Sequence, residues 1–152
     1  LFELDTKTKH ITSIHHPFTS PKNPGDLDGD PLSINSRAYD FIINGNEIGG
    51  GSIRIHSKDV QIKIFELLGI SDEEMNAKFG FFLNALSYGC PPHGGIAFGI
   101  DRLAMILLQL DSIRETIAFP KTQSTACLMT EAPSEANNQQ LAELSIKTIK
   151  NK

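Results

Sequence analysis

Apolar positions set the first reading of this chain. Phe2 and Leu4, then Ile11 and Ile14, bracket a polar turn from Asp5 to Lys9, which predicts a hairpin. Tyr39, Phe41 and Ile43 alternate with Asp40 and Ile42, and Asn44-Gly45 follows. That dipeptide suits a type I′ turn, whose two central residues need positive φ, so the strand over 47–56 is expected to fold back antiparallel. From Val60 the period changes. Val60, Ile64, Leu67 and Leu68 share one helical face behind Ser57 as cap and ahead of Gly69. Ser71 and Glu74 predict a capping box for a second short helix, and Phe79, Phe81, Phe82, Leu83 and Leu86 continue a helical pattern until Gly89. Ile96 to Gly99 reads as a short strand leading into an apolar helix from Asp101 to Leu108. A short helix from Asp111 or Ser112 closes at Phe119-Pro120, and Lys121 to Ser134 is irregular. Leu141, Leu144, Ile146 and Ile149 predict a terminal helix, with Lys147, Lys150 and Lys152 near its negative end. The sum is an α+β fold, an antiparallel β-sheet flanked by helices.

Two stretches depart from this pattern. Ser20 to Asn35 is rich in Pro, Gly, Asp and Asn, which predicts a long surface loop of the kind that forms lids. Gly49-Gly50-Gly51 interrupts a strand that is otherwise well formed on both sides. Glycine weakens a sheet interior, so such a run points to a bulge or to a close approach by a ligand or second backbone. Glu47 and Arg54 flank it at an odd separation, which on a regular strand places them on opposite faces. One extra residue in the run brings both to the same face. The pair then flanks a ligand surface; otherwise it is two solvated charges on a kinked edge strand.

Composition narrows the classes. The 152 residues allow one domain with a core, and 39% hydrophobic with 21% charged residues is ordinary for a globular protein. The longest apolar run, Leu103 to Leu108, is far too short to span a bilayer. A net charge of −4 excludes nucleic-acid binding by bulk charge, though not a local basic groove. Cys90 and Cys127 stand apart from each other and from any ligand at metal spacing, which suits reduced thiols in the cytoplasm. The chain opens with Leu1 inside a strand-like stretch and is expected to be a piece of something longer.

Candidate chemistry falls in three places. His15-His16 beside Pro17 offers metal ligands, a neutral donor to an anionic substrate, or a strand cap. Asp40 and Glu47 lie near each other across the Asn44-Gly45 turn, and two hard carboxylates suit Mg²⁺ completed by phosphate and water. Cys90-Pro91-Pro92-His93-Gly94-Gly95 is a rigid turn before the strand that runs through Gly99 into the Asp101 helix. That passage favours an anion or a flat ligand near the backbone, with Arg102 able to reach a phosphate or lie over an aromatic base.

Gly95-Ile96-Ala97-Phe98-Gly99-Ile100-Asp101-Arg102-Leu103 resembles motif 3 of class II aminoacyl-tRNA synthetases, the strand and helix that hold ATP. The blocks His15-His16-Pro17-Phe18-Thr19, Ala38-Tyr39-Asp40, Asn44-Gly45, Glu47 to His56, Tyr88 to Gly95 and Ile117 to Thr122 resemble, in order, those of bacterial aspartyl-tRNA synthetases. The resemblance runs nearly end to end and implies ATP-dependent activation of L-aspartate to the adenylate and transfer to tRNA, in a cytoplasmic, homodimeric enzyme. It implies that Arg54 holds the aspartate side-chain carboxylate, that His15 contacts the amino acid with His16 assisting, and that the loop after Phe18 covers the site. It implies Mg²⁺ on Asp40 and Glu47, ATP on Glu47, Gly99, Ile100, Asp101 and Arg102, and catalytic duty for Arg54, Arg102 and Glu47.

Two departures qualify these expectations. Ala97 stands where the general motif has a glycine, and no segment resembles motif 1 or motif 2, Arg114-Glu115 lacking the Arg-x-Glu spacing. Residues 1–152 are therefore expected to be the C-terminal portion of a catalytic domain, with motif 3 at 95–103, no anticodon-binding domain, and no activity in isolation. Two other readings accompany this one: an enzyme that also charges asparagine tRNA, and a non-catalytic paralogue serving as a binding or regulatory module.

Overall fold

A computed structural model describes residues 1–149, so Lys150 and Lys152 of the expected terminal helix lie outside the described residues. The chain divides into two compact units, Leu1–Ile100 and Asp101–Lys152. Within the first, β1 (Phe2–Leu4) and β2 (Ile11–Ser13) form the expected hairpin, Phe2 opposite Ser13. β3 (Ala38–Ile43), β4 (Asn46–Ile53) and β5 (Gly94–Phe98) form an antiparallel sheet in the order β3-β4-β5. Asn44 and Gly45 have φ of 49° and 77°, the two positive values the turn requires.

The helices follow their caps. Ser57 accepts from the Val60 N–H to start α1 (Lys58–Leu67), and Gly69 beyond it takes φ 75°. Ser71 likewise accepts from the Glu74 N–H. The second helix, however, is one continuous α2 (Asp72–Ser87), 16 residues long, and the expected capping box is half made: the Glu74 carboxylate pairs with Lys78 one turn on. Phe79 and Phe82, β-prone aromatics inside α2, are held helical by packing over Met75, Leu83 and Leu86, which pack with Phe65 of α1.

Two cores meet at α1. Ile64 joins Leu1, Phe2, Leu27, Ile34 and Ile55 on one side, and its neighbour Phe65 joins the α2 cluster on the other. The proline- and glycine-rich stretch after Ser20 is not a detached cover. Leu27 and Ile34, 3% and 2% exposed, plug it into the first core, and two short 3-10 turns, Pro24–Asp28 and Pro31–Ser33, carry it between them. Composition signalled a loop correctly but gave no weight to its two apolar anchors.

The second unit contains α3 (Ile100–Leu107) except for its first residue, a 3-10 turn at Ile113–Glu115 capped by Ser112, and α4 (Asn138–Glu143). α3 ends with Gln109 at φ 55° and the Leu110 N–H bonded to the Met105 carbonyl, a Schellman closure. α4 has a full capping box between Asn137 and Gln140, but spans only six residues. Ile146 and Lys147 lie beyond it, so the expected terminal helix is shorter than its apolar spacing suggested. Among the described residues no helix is long and apolar enough to cross a membrane.

Candidate functional site

Strand register decides which side chains meet. Phe41 faces Gly49 while the next residue, Ile42, faces Glu47, so Ile48 is one residue extra on β4. Such a bulge shifts the alternation by one. Ile42 shares its face with Asp40, and Asp40 is paired with Gly50; Glu47, Gly50, Ser52 and Arg54 therefore lie on one side of the sheet. β5 adds Gly95 and Ala97 to the same side. The phase shift expected between Glu47 and Arg54 is thus present, and both side chains line one cavity of about 540 Å³ with His15, His16, Thr19 and Asp40.

The glycines have different neighbours on the two sides. A Cβ on Gly51 would strike the Gly95 carbonyl and lie 2.8 Å from the Tyr39 ring, and one on Gly49 would lie 2.8 Å from both the Ala97 carbonyl and the Phe98 ring. On the cavity side a Cβ on Gly50 would lie 3.1 Å from Asp40 Oδ1 and 3.8 Å from Glu47 Oε1. Two glycines admit the backbone and rings behind the sheet; the third keeps two carboxylates clear in front.

The cationic end is built around Arg54. Its backbone N–H donates to the His93 carbonyl, and Thr19 is its neighbour on the other side, bracketed by bonds from Ser20 N to Ile53 O and from Ile55 N to Phe18 O. Its Nη1 donates to Ser52 Oγ over 2.9 Å and also lies against His16 Nε2. Among the described residues no carboxylate forms an ion pair with it. His16 Nδ1 accepts from the Phe18 N–H over 3.2 Å and its Nε2 faces the Arg54 guanidinium, so both ring nitrogens face donors, which suits a neutral ring over an imidazolium. Burial, and then the charge of Arg54, hold the His16 pKa below its ordinary value, which favours that neutral ring. Arg54 offers donors and no acceptor, an arrangement completed by an anionic oxygen.

Asp40 and Glu47 form the anionic end. From Gly50, opposite Asp40, to Arg54 is four strand residues, about 13 Å, so the two ends suit different groups of one extended ligand or two ligands side by side. The donor set is hard oxygen, with both carboxylates beside Gly50, which fits a Mg²⁺ ion held by two carboxylates. Among the described residues no group of three or more His, Cys, Asp or Glu side chains could hold a metal ion, so His15-His16 is not part of such a cluster.

The segment carrying the histidines is fixed from behind. Phe18 meets Phe65, Phe79 and Phe82 edge to face at 5.4–6.2 Å, and the fully buried Gln61 donates from Nε2 to the Pro17 carbonyl over 2.9 Å. Gln61 and Thr19 have no mark in the sequence pattern, because their partners are 44 and 33 residues away. Ser52 did carry one, being two positions from Arg54 on a strand. Of the remaining expected residues, the Gly99 N–H donates to the Ile48 carbonyl over 2.7 Å, continuing β5 past Phe98. Ile100 starts α3, and Asp101 and Arg102 lie in its first turn with exposed side chains.

Comparison with known proteins shows the family of the chain. A family model described as tRNA synthetases class II (D, K and N) matches residues 8–123. An Aspartate--tRNA(Asp/Asn) ligase of Syntrophotalea carbinolica is 57% identical over 149 residues, 97% of this chain and 25% of that protein. Another of the same name from Dictyoglomus turgidum is 54% identical over 151 residues, 98% of this chain and 26% of that protein. The chain thus spans about a quarter of the length of the curated relatives it matches. Among solved structures, an aspartyl tRNA synthetase from Entamoeba histolytica superposes with a TM-score of 0.56 at 29% identity, over 73% of this chain and 21% of that one. An asparaginyl-tRNA synthetase of the same organism, in complex with asparaginyl-adenylate, gives 0.57 at 28%, over 74% and 24%.

Proposed function

Because the chain belongs to the class II tRNA synthetases of the D, K and N group, we propose that its cavity is the aspartate and Mg²⁺–ATP part of an aspartate–tRNA ligase. The observation that carries this reading is Arg54, a half-buried guanidinium with no carboxylate ion pair among the described residues, beside a neutral His16. A carboxylate satisfies the guanidinium, whereas the amide nitrogen of an asparagine side chain would set donor against donor. His15, on the same cavity wall, contacts the bound amino acid.

In this reading Asp40 and Glu47 hold Mg²⁺, which when bound neutralises phosphate charge. Gly99, Ile100 and Asp101 provide the strand-to-helix passage that lies against ATP, and Arg102 contacts its phosphate and adenine. The chain's own contribution is positioning. It holds the substrate so that its α-carboxylate attacks the α-phosphate in line and pyrophosphate leaves; the aspartyl group then passes to tRNA. Residues 1–152 supply the C-terminal portion of that catalytic domain, with motif 3 at 95–103, in a homodimeric cytoplasmic enzyme. The name carried by the curated relatives favours acceptance of both aspartate and asparagine tRNAs over aspartate tRNA alone.

Calorimetry on the purified chain tests the site. L-Aspartate is expected to bind about 10-fold or more tighter than L-asparagine, and Arg54→Gln to erase the preference. Equal binding of the two by the unsubstituted chain overturns the assignment. ATP–pyrophosphate exchange by the chain alone is expected to be absent, and exchange at the rate of a complete enzyme overturns the view of it as a partial site.

A further inference from the structure

Arg54 has a supporting structure of its own. Thr19 and Ser52 are each 1% exposed, and with Gln61 they are the buried polar residues of the chain's described part. Thr19 Oγ1 donates to Ser52 Oγ over 3.1 Å, and Arg54 Nη1 donates to the same oxygen over 2.9 Å. A hydroxyl oxygen has two acceptor sites. Both sites of Ser52 are therefore occupied, one by Thr19 and one by the guanidinium. Burying two hydroxyls costs free energy unless they are bonded, and valine or alanine would pack here without that cost. The gain lies in what the hydroxyls hold: a long, rotamer-rich cationic side chain kept in one orientation without a carboxylate that would compete for its charge.

Backbone pairing makes the geometry stiff. Thr19 and Arg54 sit side by side on neighbouring antiparallel segments, and Ser52 is two residues from Arg54 on the same strand face. Aiming of the guanidinium is thereby referred to the sheet and not to the exposed loops around the cavity.

We infer that Ser52, with Thr19 behind it, is a positioning residue that sets the selectivity of the site for a carboxylate side chain over a carboxamide, acting through Arg54. This inference rests on the aspartate reading of the cavity. A planar fork held at one angle meets two equivalent carboxylate oxygens, whereas a fork free to turn avoids the amide nitrogen of the competitor. Ser52→Ala therefore loses discrimination more than it loses binding of both ligands together.

The test combines two measurements on the full 152-residue chain. Nitrogen-15 NMR of the Arg54 guanidinium reports its order without any ligand, and calorimetry with L-aspartate and L-asparagine reports selectivity. Expected for Ser52→Ala are averaging of the Arg54 Nη signals and about a 10-fold loss of aspartate affinity, against about 2-fold for asparagine. Thr19→Val, which keeps the shape and removes the hydroxyl, shifts both readouts in the same direction by less, and Thr19→Ser recovers them. Unchanged Arg54 signals and unchanged selectivity in both Ser52→Ala and Thr19→Val overturn the inference. Absence of aspartate binding by the unsubstituted chain instead overturns the aspartate reading, and the NMR measurement then decides alone whether the hydroxyl pair orients Arg54.

Discussion

The two sides of the β3-β4-β5 sheet use the same residue type for opposite ends. Behind the sheet, Phe41 and Phe98 meet edge to face at 5.8 Å, Tyr39 donates its hydroxyl to the Gly95 carbonyl over 2.9 Å, and Gly49 and Gly51 make room for these rings. In front, Gly50 and Gly95 make room for charged groups: Asp40 and Glu47 beside the one, the Arg54 guanidinium 3.0 Å from where the other would carry a Cβ. The space behind is filled by the protein itself. The space in front is a cavity lined by charged side chains. Glycine in a strand thus records only that something comes close, and the neighbours across the register say whether that something is chain or ligand.

Substitutions on the two sides separate these roles. Gly51→Ala carries the largest expected effect, a loss of about 3 kcal/mol in urea unfolding, because its methyl meets backbone that cannot move aside. A loss under about 1 kcal/mol would show that the back of the sheet is loosely held. Gly50→Ala is expected to leave stability nearly unchanged, since the facing Asp40 carboxylate can rotate, and to weaken Mg²⁺-dependent nucleotide binding about 10-fold in a titration with and without the metal. Equal losses of stability at Gly50 and Gly51 would remove the distinction.

The smallest effect concerns His16. Its folded pKa lies below the ordinary value of 6.5, so the folded state favours the neutral ring. The resulting stability is present above 6.5 and is lost as pH falls through the lowered folded value. Chemical denaturation of the chain at successive pH values should show this decline on the acid side, and His16→Gln should flatten it. Binding of an anion beside Arg54 would raise that pKa again, so aspartate binding near the His16 transition should take up protons, measurable as a buffer-dependent heat.

How much of this could be read beforehand depends on distance along the chain. The Asn44-Gly45 turn, the Ser57 and Ser71 caps and the need for a phase shift between Glu47 and Arg54 are local, written within a few residues. The continuity of α2 was less legible, since Phe79 and Phe82 on either side of Gly80 have weak helical preference and tertiary packing decides for them. α4 failed the other way, its apolar spacing continuing past Glu143, where Ser145 turns to positive φ and the Ile146 N–H bonds back to the Leu141 carbonyl to close the helix. Within the site, the charged residues were visible from spacing, whereas Thr19, Gln61 and the anchors Leu27 and Ile34 were not. Each acts on a partner that only the fold brings near.

The extra residue at Ile48 also governs how the sequence can change in length. Ile48 is itself 3% exposed, so it is seated as firmly as a core residue and does not loop out. Losing a single residue between Glu47 and Gly50 would preserve most of the hairpin's backbone bonds and yet carry Glu47 to the aromatic side, away from Asp40. Substitutions can therefore tune this strand gradually. A one-residue insertion or deletion exchanges its two surfaces in a single step.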